Sequence, residues 1–166
     1  MSKRTPQPDK KALEDAADAI VYEISMLLNT RYVHADAQAK LQAATTLRDR
    51  TYWITAQNAA VESFLLHYRN LQQFLNNLNF ATDAKAIDYV STWKPDPRLN
   101  TPDEDKRLNQ RLAHLTYDRA THKRGWNLEE LERRLCPVLT TFLDQLDSRY
   151  SPLFADCRIN LKGHGY

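Results

Sequence analysis

The chain has 166 residues, 42% of them hydrophobic and 27% charged, which fits one compact domain with a sizeable core. Its formal net charge of +2 is close to neutral, so bulk charge argues against a broad nucleic-acid-binding surface and leaves room only for a local patch. Of only 3 glycines the first is Gly125, which excludes a glycine-cradled phosphate loop or dinucleotide fingerprint before that point.

Residues 1–8 are polar and contain Pro6 and Pro8, which predicts a flexible arm. From Asp9 onward, Leu13, Ala16, Ala17, Ile20, Ile24, Leu27 and Leu28 recur at helical spacing and predict a first amphipathic helix ending near Asn29. A link is expected over Arg31 to Asp36. An alanine-rich segment from Ala37 then leads past Trp53 to Leu78, as one long helix or as two with a bend near Arg48 to Thr51. Its second half carries a broad apolar arc that includes Trp53, Phe64, Leu71, Phe74 and Leu75, as expected of a central helix with several neighbours.

A short helix is expected within Asp83 to Val90, with Trp93 just beyond it and an extended loop at Pro95 and Pro97. Thr101-Pro102-Asp103-Glu104 reads as a helix start, and the helix carries Leu108, Leu112 and Leu115 on its apolar face. Asn127 and Glu130 read as the next capping pair, opening a last long helix that contains Pro137 and should kink there. The expected fold is all-α, a single helical bundle of about five main helices. The expected divisions are a bundle domain over 9–150 and an irregular C-terminal tail over 151–166.

Cys136 and Cys157 lack metal-ligand spacing, and Cys136 falls at an apolar helix position, as in a reduced cytoplasmic protein. No apolar run is long enough to span a membrane, and no apolar signal-peptide core follows Met1. His34 with Asp36, and His164, stand isolated, so neither a metal site nor another cofactor is expected.

The richest chemistry lies on the helix that follows Thr101. Arg107 and His114 are two turns apart and share one face, with Arg111 between them and Asp118 one turn further. Arg107 can hold a phosphate, and His114 can move a proton near neutral pH with Asp118 orienting its ring. Read plainly, the same residues are a solvated stripe of alternating charge.

Arg107 to Asp118 resembles the terminal motif of HEPN domains, helical bundles in which an arginine is followed after four to six residues by a histidine. Six residues separate Arg107 from His114, and Ala113-His114 matches the frequent small-residue ending. Leu108 departs from the pattern, which usually has a polar residue after the arginine. The segment Glu62-Ser-Phe-Leu-Leu-His-Tyr-Arg-Asn-Leu-Gln-Gln-Phe74, with Ala113-His-Leu-Thr-Tyr117, is similar to a family of uncharacterised bacterial helical proteins. The HEPN resemblance implies a metal-independent ribonuclease in a toxin or defence setting, with Arg107 and His114 catalytic and the chain paired as a homodimer on RNA. The alternative is a non-catalytic helical domain that binds a protein partner.

Within the companion segment, His67 lies on the apolar side of its helix and Asn70 at its margin, while Glu62 and Arg69 lie on the polar stripe. One reading places His67 and Asn70 in a pocket facing His114, supported by Glu62 and Arg69. The other is a core histidine with satisfied hydrogen bonds, and Glu62 and Arg69 as an ion pair. Trp53, Trp93 and Trp126 are assigned to packing, and the basic residues from Arg119 to Arg124 to a helix C-terminus.

Overall fold

The computed structural model describes residues 8–78, 82–99, 102, 106–108 and 125–166, and among these it is all-α with no strand. Helix α1 spans Lys10–Ala43 and starts at Asp9, whose side chain accepts a hydrogen bond from the Ala12 amide at 2.8 Å. The link expected over Arg31 to Asp36 does not form, and the helix runs straight through it. The strong helix formers that follow over 37–43 and the Asp36–Lys40 ion pair favour continuation, and no glycine or proline interrupts the segment.

The break comes at residues 44–46, a little earlier than the expected bend. Thr46 caps helix α2 (Leu47–Leu75): its hydroxyl accepts from the Asp49 amide at 3.1 Å and donates to the Asp49 carboxylate at 2.7 Å. At the other end, Asn77 takes a left-handed conformation (φ 55°). The Leu78 amide then reaches back to the Gln73 carbonyl, and the Asn77 amide to that of Phe74, closing the helix in a Schellman turn.

Contacts along the hairpin show that α1 and α2 are antiparallel: Glu23 meets His67, His34 meets Gln57, and Lys40 sits over Trp53. Trp53 is half-buried beneath that lysine, on the outlying part of the hairpin. Helix α3 (Ala86–Tyr89) is shorter than the expected segment. It delivers Tyr89, whose hydroxyl donates to the Leu13 carbonyl, and Trp93 follows with its indole N–H on the Leu75 carbonyl.

The short 3-10 turn at 97–99 is held by α2. Buried Gln72 and Asn76 both donate to the Leu99 carbonyl, at 2.6 and 3.2 Å. Helix α4 (Leu128–Asp144) begins at Asn127, which accepts from the Glu130 amide as its capping pair predicts, and it continues past Pro137. The segment from residue 151, expected to be irregular, instead forms a 3-10 turn (Ser151–Phe154) and helix α5 (Ala155–Gly163). Phe154, Cys157 and Leu161 are buried, so this segment belongs to the core.

The centre of that core is aromatic. Phe142 of α4 makes edge-to-face contacts with Phe74, Trp93 and Phe154 at ring distances of 5.2, 5.7 and 5.9 Å. No helix among the described residues is long and apolar enough to cross a membrane.

Candidate functional site

Residues 106–108 are helical, which places Arg107 on the predicted motif helix, while Thr101, Arg111, His114 and Asp118 lie outside the described residues. Arg107 is half-buried. Its guanidinium carbon lies 3.8 Å from the centre of the Trp126 ring, and its Nη2 donates to the Gly125 carbonyl at 3.0 Å. Stacking and hydrogen bond together tie the motif helix to the segment that opens α4. Leu108 is fully buried in the core, which gives a physical reason for an apolar residue after the arginine.

His67 is buried on the core-facing side of α2, as its position on the apolar side of that helix predicts. Its Nδ1 lies 2.7 Å from Glu23 Oε2 on α1, where the imidazole donates and the carboxylate accepts. Asn70 Nδ2 donates to the same oxygen at 3.2 Å. Tyr22 meets the imidazole edge-on at 5.8 Å between ring centres. His67 and Asn70 are thus brought together, by a residue absent from the sequence-derived site. Glu62 is exposed and Arg69 half-buried, both outside this trio.

Glu23 had a faint signature in the sequence: one carboxylate three residues after Ile20 and four before Leu27, at the edge of an apolar stripe. Single-helix periodicity cannot reveal that such a residue meets a histidine on the next helix. A second cluster was equally hidden. Glu132 of α4, almost buried, pairs with Arg31 Nε at 3.3 Å and with His164 Nδ1 at 3.5 Å, and the Tyr32 ring packs on His164 at 4.7 Å. Burial, then the neighbouring Cys136 and Glu132, push the Tyr166 hydroxyl above its usual range. This cluster stitches the C-terminal segment to α1 and α4.

A groove of about 420 Å³ runs beside the trio, between α1 and α2. Ile20, Leu71 and Phe74 form its floor, Glu23 and Asn70 one wall, and Asp83 part of its rim. His67 stands behind that wall and does not line the groove. Both hydrogen bonds to the Glu23 carboxylate fall on Oε2, so the trio works as a brace that orients the carboxylate. Cys136 and Cys157 are buried free thiols, and burial raises Cys157 to about 11, which leaves it protonated and unreactive near neutral pH. Among the described residues, no group of three or more His, Cys, Asp or Glu is arranged to hold a metal ion.

No family model, curated protein or solved structure matches this chain.

Proposed function

We propose that this chain is a non-catalytic, cytoplasmic helical domain of HEPN-like type that acts by docking a protein partner. The observation that carries this reading is the placement of Arg107. A phosphate-gripping arginine needs its guanidinium edge presented to the ligand, whereas Arg107 stacks on Trp126 and donates to a backbone carbonyl. The burial of Leu108 and the near-neutral net charge support the same reading. His67, braced by Glu23, supports a structural role for the second motif.

The second reading is a metal-independent ribonuclease, favoured by the seven-residue offset that sets Arg107 and His114 on one helix face. In it His114 moves the proton, Arg107 stabilises phosphate charge, and two copies pair their motifs on RNA. The deciding experiment incubates RNA with the purified chain in chelator, beside His114→Ala and Arg107→Ala. The docking reading expects no cleavage by any of the three, and a folded but less stable Arg107→Ala protein. Cleavage by the parent chain that both substitutions abolish, in a sample that sediments as a dimer, establishes the nuclease instead.

A further inference from the structure

The groove beside Glu23 has features that the docking reading does not use. Its floor is apolar: Ile20, Leu71 and Phe74, all buried side chains, line it. Ala16 and Ala19, one turn apart on α1, line the groove with side chains no larger than a methyl group. The wall and rim contribute Glu23, Asp83 and the carboxamides of Asn70 and Gln73, and none of the described lining residues is lysine or arginine. An occupant complementary to this lining has an aliphatic body and one cationic end.

We propose that the groove docks a lysine side chain from a protein partner, with the ammonium on Glu23 and the methylene stem along the Ile20–Phe74 floor. This rests on the docking reading and names the chemistry of the partner. Lysine is preferred over arginine because of how the carboxylate is already engaged. His67 and Asn70 both occupy Oε2, which leaves Oε1 as the acceptor. A single oxygen suits a compact ammonium, whereas a guanidinium fork gains most from two parallel bonds to both carboxylate oxygens. A partner side chain is preferred over a free amine because Ala19 and Asp83 are exposed at the groove, where a polypeptide backbone can lie. The long stem buries along the apolar floor while the backbone stays in water.

The test titrates the full chain with short blocked peptides that differ only at a central lysine, arginine or norleucine, and with a short alkyl diamine. Binding is read from NMR shifts of Ala19 and Phe74. The lysine peptide is expected to bind about tenfold more tightly than norleucine, and more tightly than arginine or the diamine. Glu23→Gln should bring lysine down to the norleucine level, and Ala19→Leu, which leaves the Glu23–His67 brace in place, should abolish binding by filling the space. Equal binding of lysine and norleucine, tighter binding of arginine or diamine, or shifts remote from the groove would overturn the proposal. RNA cleavage lost on removing Arg107 would remove the docking reading, whereas a flat peptide titration without cleavage removes the groove proposal alone.

Discussion

The two halves of the α1–α2 hairpin are built from the same kind of helix and are held by different forces. In the half nearest the chain's other helices, α1 contributes Leu13, Ala17, Ile20, Ile24 and Leu27 to the core, and α2 contributes Phe64, Tyr68, Leu71 and Leu75. In the outlying half, residues 36–56 include a single buried side chain, Ala37. Tyr52 and Ile54 stand exposed there, and half-buried Trp53 meets Lys40 and, edge-to-face, the Tyr52 ring. Tertiary burial stabilises the first half, while intrinsic propensity, the Asp36–Lys40 pair and the Thr46 cap sustain the second. A helix can therefore outrun its core, and its apolar stripe then reports where the core ends rather than where the helix ends.

The sharpest way to break this contrast is to remove one aromatic from each region. Phe64→Ala empties a fully buried position in the core half of the hairpin and should cost about 3–5 kcal/mol in denaturant unfolding. Tyr52→Ala, on the outlying half, should stay within about 0.5 kcal/mol. Similar losses at both sites would show that the hairpin's far half is buried as deeply as its base.

Thr46→Ala probes the local forces and should cost about 1 kcal/mol, with faster amide exchange confined to the first turns of α2. Protection unchanged at Asp49 and Arg50 would mean that the cap does not sustain this end.

The smallest expected effect concerns His34, half-buried on α1 and 3.4 Å from Gln57. Burial first, and then the charge of Arg31, hold its ring below the ordinary value of 6.5. The unfolded chain then takes up a proton at His34 before the folded chain does, so this contribution is complete above 6.5 and declines as pH falls through the region below it. His34→Gln should flatten the pH dependence of unfolding in that window, and an unchanged slope would assign the dependence to other groups.

Helix starts were readable at Asp9 and Asn127 but not at Thr46, whose capping contacts with Asp49 are just as local. Asp9 and Asn127 sit before apolar-periodic segments, and each takes an amide hydrogen bond within the next turn. The position of His67 on an apolar face was equally readable, because burial follows the period of one helix. The course of residues 31–36 was not, since loss of the apolar stripe looks the same for a loop and for a solvated helix. The segment after Ser151 misled for another reason: its apolar residues are few, and their burial depends on α1 and α4 being there to receive Phe154, Cys157 and Leu161.

Composition, capping residues and helical period thus determined the all-α class, the helix starts at Asp9 and Asn127 and the buried face that holds His67. Tertiary structure alone decided that Glu23, 44 residues away, would meet that histidine, and that Arg107 would stack on Trp126. It also decided that Ala16 and Ala19 would line a groove against α2. The reason is range: backbone preferences and caps act within a turn or two, whereas a carboxylate acquires its partner only when packing has set two helices side by side.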